Sequence, residues 1–250
     1  MKKKRGRPSV KRGRPAAKGP AELPLLVELG VEEMPAGFVA KAVEEFKSLV
    51  CSGLDSAGIA HGEAAAFSTP RRLTVCVAGV STIQPGKVVE VTGPPRKVAV
   101  DDSGNPTQAA TGFAASQGVE LSSLRVKTLP KGEYVVALKE EKEKKPSDLL
   151  PAIVKNAISK ISLQKSMKWH DDARFVRPIR WIAALYGGKT VKFAVSDAQS
   201  GDFTFGHRFL SGKKIRLSSA DPVRYKAEMK KHFVIADADE REASVRTQAD

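Results

Sequence analysis

The sequence predicts an α+β fold, with mixed or antiparallel sheets under packed helices. Three observations carry this. Short apolar runs with strand character stand at 25–29, 64–67, 73–80 and 179–186. Longer apolar stripes at helical spacing stand at 38–57 and 146–161. The two kinds do not alternate in the strict strand–helix rhythm of a doubly wound sheet.

The elements follow in order. The run at 25–29 is a strand ended by Gly30. Pro35 suits the first position of a helix whose face is Phe38, Val39, Ala42, Val43, Phe46, Leu49 and Val50, with Gly58 as its stop. Strands at 64–67 and 73–80 flank Thr69-Pro70, and further strands are expected at 88–92 and 97–100. Residues 101–106 form a turn cluster. Thr107 is placed to cap a helix that ends before Gly118. A hairpin turns at Pro130-Lys131-Gly132 between strands at 124–129 and 133–138. The charged run 140–145 reads as a surface turn. Pro146 opens the second helix, with Leu149, Leu150, Ile153, Val154, Ala157, Ile158 and Ile161 on its stripe. Strands at 179–186 and 191–195 join through Gly187-Gly188, and 215–217 is a short strand. Asp221 and Asp239 cap two last helices. The second runs to Asp250 without a stop signal, as expected of a truncated or partial chain.

The chain has 250 residues and a net charge of +14. Nine of its 42 Lys and Arg lie in 1–18, where there is no acid. The remaining 33 face 28 acids, so the rest of the chain is only +5. The strong positive charge therefore belongs to the arm, residues 1–23, which is low in complexity and expected to be disordered when free. Lys4-Arg5-Gly6-Arg7-Pro8 recurs there as Lys11-Arg12-Gly13-Arg14-Pro15. Arg5, Arg7, Arg12 and Arg14 either resemble twin AT-hook cores for a narrow DNA minor groove or form a general polyanion-binding arm that also suits RNA. Residues 24–250 form the α+β region, with a sub-boundary expected near 140–147. No run approaches the ~18 apolar residues of a membrane span, so no membrane role is expected. Cys51 and Cys76 lack metal-ligand spacing and read as buried free thiols of a reducing cytoplasm.

Three blocks set guanidinium groups among apolar and aromatic residues. They are Thr69-Pro70-Arg71-Arg72-Leu73, Arg174-Phe175-Val176-Arg177-Pro178-Ile179-Arg180-Trp181 and Gly206-His207-Arg208-Phe209. Such texture fits an interface that binds carboxylates or phosphates in a fork. Structural arginines that satisfy carbonyls or internal carboxylates are the alternative, for Arg208 above all. Asp171 or Asp172, beside His170, is expected to pair Arg174 or Arg177. Trp169 and Trp181 read as core, with cation–π or base-stacking roles as the alternative. No phosphate loop, no His pair with metal spacing and no Gly-x-Ser-x-Gly is present, which counts against a free-standing hydrolytic or editing domain.

These blocks stand in order with Leu25-Leu26-Val27-Glu28-Leu29-Gly30-Val31-Glu32-Glu33-Met34-Pro35, Gly93-Pro94-Pro95, the 106–114 segment, Lys131-Gly132-Glu133-Tyr134, Lys165-Ser166-Met167-Lys168-Trp169 and Thr204-Phe205. In that order they resemble the β subunit of the bacterial heterotetrameric glycyl-tRNA synthetase, over its N-terminal portion. The resemblance implies a tRNA-recognition and assembly subunit of an α2β2 glycine–tRNA ligase in the cytoplasm. Its partners would be the α subunit and tRNA-Gly. It implies that ATP and Mg bind the α subunit, where glycyl-adenylate forms before the tRNA terminal ribose takes the glycyl group. No catalytic or metal-binding residue is expected in this chain. The motif positions Arg71, Arg72, Arg174, Arg177, Arg180, His207 and Arg208 become candidates for contact with tRNA or the α subunit. The alternative function is DNA binding through the arm.

Overall fold

The structure is a computed structural model that describes residues 21–101, 104–130, 132–141, 143–162, 167–168 and 174–249. The arginines of the arm, together with Trp169, His170, Asp171 and Asp172, lie outside the described residues. In chain order the first elements are β1 (Glu22–Val31), α1 (Ala36–Ser56), β2 (Ala64–Thr69) and β3 (Arg72–Ser81). Next come β4 (Lys87–Pro95), α2 (Arg96–Ala99), α3 (Gln108–Gln117), β5 (Arg125–Leu129) and β6 (Gly132–Glu141). Then follow α4 (Pro146–Lys160), β7 (Met167–Lys168), β8 (Arg174–Phe175), β9 (Ile179–Tyr186), β10 (Lys189–Thr190) and β11 (Ala194–Val195). Last are β12 (Ala198–Gly201), β13 (Phe203–Phe205), β14 (Lys214–Arg216), α5 (Pro222–Lys231) and α6 (Ala238–Ala249).

The main sheet runs β11-β12-β9-β1-β3-β2, with β10 also on β9. β1 lies between antiparallel β3 and β9, while β12 runs parallel to β9. This is the mixed α+β architecture that the sequence predicts.

β1 is buried on both faces, so its apolar run is nearly continuous rather than alternating. Its odd positions Leu25, Val27, Leu29 and Val31 join a core with Phe46, Val50 and Leu54 of α1 and Leu150, Val154 and Ile158 of α4. Its even position Leu26 packs with Cys76, Leu185, Tyr225 and Met229 on the opposite face, under α5. The sheet is therefore a middle layer, and the two-strand β13–β14 ribbon with α5 forms the third. Burial pushes the Cys76 thiol well above its ordinary pKa, with Glu28 and Asp221 adding to the shift.

Between β3 and α4 the chain builds a second sheet, β4-β6-β5, with its own small cluster of Ala99, Ala110 and Val135 flanked by Phe113 and Leu124. The strand expected at 97–100 is instead the single helical turn α2. Pro94 and Pro95 supply no N–H to extend the ladder, and the turn swings Ala99 into that cluster. Of the strand expected at 191–195 only Ala194–Val195 is strand, as β11, and β10 stands just before it at Lys189–Thr190. Between them the Ser200 hydroxyl accepts from Phe193 N–H at 2.8 Å and donates to Val191 C=O at 2.7 Å.

Asp221 caps α5 as expected, its Oδ1 accepting from Arg224 N–H at 2.8 Å. Thr107 occupies the N-cap position of α3, but its hydroxyl donates to Val98 C=O at 2.7 Å instead. The cap of α6 is Asp237 rather than Asp239. Its Oδ1 accepts from Asp239 and Glu240 N–H at 3.1 and 3.4 Å. The Lys226 ammonium, 3.0 Å away, together with these amides holds the Asp237 carboxyl below its ordinary pKa. A depressed folded-state pKa gives stability that is present above the unfolded value near ~4 and is lost as pH falls below it. Asp237→Ala is therefore expected to cost about 1 kcal/mol at pH 7. The gap in urea midpoint between parent and variant should close in acid; a gap unchanged by pH would contradict this assignment.

Candidate functional site

The first two arginine blocks meet at the C-terminal end of β1, beside Thr204 and Phe205, which precede the third. There the ladder sets Gly30 between Arg72 of β3 and Trp181 of β9, and Glu28 between Thr74 and Ala183. Residues two apart share a face of a strand, so Glu28, Gly30, Arg72, Thr74 and Trp181 all point toward the β13–α5 layer.

Glu28 is wholly buried, and its carboxylate is fully engaged. Oε1 accepts from Trp181 Nε1–H at 2.6 Å and from the Thr204 hydroxyl. Oε2 accepts from the Tyr225 hydroxyl at 2.5 Å, and that hydroxyl also meets Thr74 Oγ1 at 2.9 Å. Arg72, 3% exposed, brings Nη1 to 3.6 Å from Glu28 Oε2 and supplies the opposite charge. Its Nη2 donates to Phe205 C=O at 2.7 Å, and its Nη1 reaches Met229 Sδ at 2.8 Å. The Trp181 ring lies 5.8 Å from the guanidinium and meets Phe205 edge-on at 5.0 Å. Burial opposes the Arg72 charge, but Glu28 and Tyr225 outweigh it, and its pKa is raised. Burial and the Glu28 charge hold the Tyr225 pKa well above the ordinary phenol value, which keeps its hydroxyl a donor. Arg72 is thus committed inside the fold, and of the open roles for it the internal one is what the geometry displays. Trp181 is both core and cation–π partner.

The other predicted residues sit around this centre. Arg71 is half-buried, and its carbonyl accepts from Val31 N–H at 2.9 Å. Arg177 is half-buried and donates through Nε to Glu33 C=O at 3.2 Å. Arg180 is exposed, with Nε 3.3 Å from Glu32 Oε1. Arg174 is exposed in the short β7–β8 ladder, opposite Lys168. Arg177 and Arg180 therefore grip the acidic turn Glu32-Glu33 that follows β1 and form a cationic strip at this end of the sheet, while Arg174 lies in the separate β7–β8 ladder.

His207 and Arg208 stand apart, in the exposed 206–212 loop between β13 and β14. The loop is tied to the end of α5. His207 N–H donates to His232 C=O at 2.9 Å, and Ser211 Oγ meets His232 Nδ1 at 2.8 Å. A Cβ on Gly206 would lie 2.8 Å from His232 Cβ and 2.9 Å from its carbonyl oxygen, so only glycine permits this approach.

Sequence reasoning missed Glu28 and Tyr225. A single acid inside the apolar run 25–31 was the available signal for Glu28, since an unpaired buried carboxylate is too costly to keep. Among the described residues no group of His, Cys, Asp or Glu is placed to hold a metal ion, and no helix is long and apolar enough to cross a membrane.

Residues 25–250 match a family described as the glycyl-tRNA synthetase beta subunit. The chain is 42% identical over 225 residues to a glycine–tRNA ligase beta subunit of Geobacter sp. (strain M21), covering 90% of this chain and 32% of that one. The corresponding subunit of Geobacter sulfurreducens is 41% identical over 223 residues, 89% of this chain and 32% of its own length. That of Anaeromyxobacter dehalogenans is 42% identical over 222 residues, 88% and 32%. The chain thus spans about a third of the length of these relatives, and the matched segment begins after the basic arm. Over the region that holds the β1 end, the buried Glu28–Arg72 centre and the cationic strip, the chain belongs to the glycyl-tRNA synthetase beta subunit family.

Proposed function

We propose that this chain acts within the beta subunit of a cytoplasmic α2β2 glycine–tRNA ligase, holding tRNA-Gly and the alpha subunit in place for attachment of glycine. The collinear match over residues 25–250 carries this reading. In it the alpha subunit binds ATP, Mg and glycine and makes the bonds. This chain contributes position: exposed or half-buried guanidinium groups near a sheet end can hold phosphate oxygens. Arg174, Arg177 and Arg180 are the residues assigned to that task. The two with assigned partners spend a single N–H each on the Glu32-Glu33 turn, Arg177 on the Glu33 carbonyl and Arg180 on the Glu32 carboxylate, which orients the side chains and leaves N–H groups over.

The test is tRNA-Gly binding by the Arg177→Ala, Arg180→Ala double variant across a salt series. The exposed Arg180–Glu32 pair contributes about 0–1 kcal/mol and the Arg177 bond to the Glu33 carbonyl about 1 kcal/mol, so the melting temperature should fall only slightly. The slope of log affinity against log salt should fall by about two if both arginines contact phosphate. A folded double variant with unchanged affinity and slope for tRNA, and unchanged capture of the alpha subunit, would remove the strip from the interface.

A further inference from the structure

We infer that the 206–212 loop, with the turn at Phe233, is a stacking platform for an unpaired segment of RNA. The inference rests on the RNA-handling function proposed above and assigns it a second surface, distinct from the sheet-end arginines. Three apolar side chains stand in solvent there: Phe209 is 84% exposed, Leu210 64% and Phe233 60%. None of the three is buried in the core.

Phe233 sharpens the point. It ends α5 with φ at +61°, in the left-handed region where glycine is the ordinary occupant. A bulky aromatic that is exposed in a costly backbone conformation points to a contact with a partner. Hydrogen bonds also brace the loop. Besides its ties to His232, Phe209 and Leu210 N–H both donate to His207 Nδ1 at 3.3 Å, which fixes the backbone that presents the ring.

Charge selects the partner. Residues 203–216 hold Arg208, Lys213, Lys214 and Arg216 with no acid. Arg216 is paired with Asp202 at 2.7 Å, while Arg208, Lys213 and Lys214 have no carboxylate partner among the described residues. Two of these cations lie on aromatic rings, Arg208 at 5.5 Å from the Phe209 centroid and Lys214 at 3.5 Å from that of Phe203. Aromatic faces interleaved with unpaired cations suit a strand whose bases stack while its phosphates are neutralised. A paired duplex offers phosphates alone, because its bases are already stacked on one another.

The decisive comparison uses the full chain with a labelled oligoadenylate of about 12 nucleotides and a fully paired RNA duplex of equal length. Phe209→Ala is expected to weaken the single strand about tenfold, the loss of one stacked base, and to leave the duplex within about twofold. The basic arm acts through phosphates and is common to both proteins, so it does not create this difference. Phe209→Trp should gain an emission that the single strand quenches and the duplex does not. Equal loss on both RNAs, or no loss with no quenching, overturns the platform. So does a Phe209→Ala chain that keeps all RNA binding and releases the alpha subunit, which would make the loop a protein contact while leaving the proposed function standing. Failure of the unsubstituted chain to bind any RNA, tRNA-Gly included, would bring down its tRNA-holding role along with the platform.

Discussion

Arg72→Ala should destabilise the chain by about 3–5 kcal/mol, the cost of leaving one member of a buried ion pair alone. Glu28 would keep its hydrogen bonds from Trp181, Thr204 and Tyr225 but lose the only cation placed against it among the described residues. Phe205 C=O would lose its donor as well. Urea unfolding monitored by circular dichroism gives the number, and a loss under about 1 kcal/mol would show that the guanidinium is dispensable to the fold. Removing both charges together is the informative control. Arg72→Met with Glu28→Gln keeps the volumes and most hydrogen-bond partners, and paired removal of buried charges is often close to neutral. The double variant should therefore be more stable than Arg72→Ala alone. There is a functional side to this. Arg72 clamps Phe205, and Gly206 follows it at the root of the exposed loop, so a mild substitution such as Arg72→Lys should disturb the loop before it unfolds the core.

What was legible in the sequence follows from where the physics is local. β1, α1, α4 and β9 are read correctly because each buries a long apolar face, and periodicity reports burial directly. The capping role of Asp221 is legible for the same reason, since donor and acceptor lie three residues apart. The misplaced strand at 97–100 and the broken one at 191–195 depend on Ala99 finding Ala110 and on Ser200 finding Phe193 and Val191. That information lies outside the segments themselves, in contacts that periodicity does not report. The site divides likewise. The arginine blocks can be picked out by composition, but one texture hides two fates. Arg72 is buried against a glutamate 44 positions earlier, while its neighbour in type, Arg180, reaches only the surface acid Glu32. The Glu28 centre joins side chains up to 197 residues apart, and its meaning exists only after folding.

Gly30→Ala is the second substitution expected to do great harm, and it is the smallest change available. A Cβ built on Gly30 would lie 1.9 Å from Trp181 Cδ2 and Cε2 and 2.3 Å from Cζ2, inside the indole ring itself. The ring cannot step aside cheaply. Its Nε1–H is held by Glu28, its face by Arg72 and its edge by Phe205. To admit one methyl group, the strand or the indole must shift and break that set. A cost of about 3 kcal/mol is expected, at the upper end for overpacking, with a changed near-ultraviolet signal from the displaced tryptophan. Gly37→Ala separates this from any general effect of replacing glycine. Gly37 lies in the first turn of α1, and a Cβ there meets nothing within 4 Å. That substitution should be neutral or stabilising by up to about 1 kcal/mol, because alanine loses less backbone freedom in a helix. If both variants unfold at the parent's denaturant concentration, the indole does not lie over Gly30 in solution. The internal assignment of Arg72, which depends on the same packing, would fall with it.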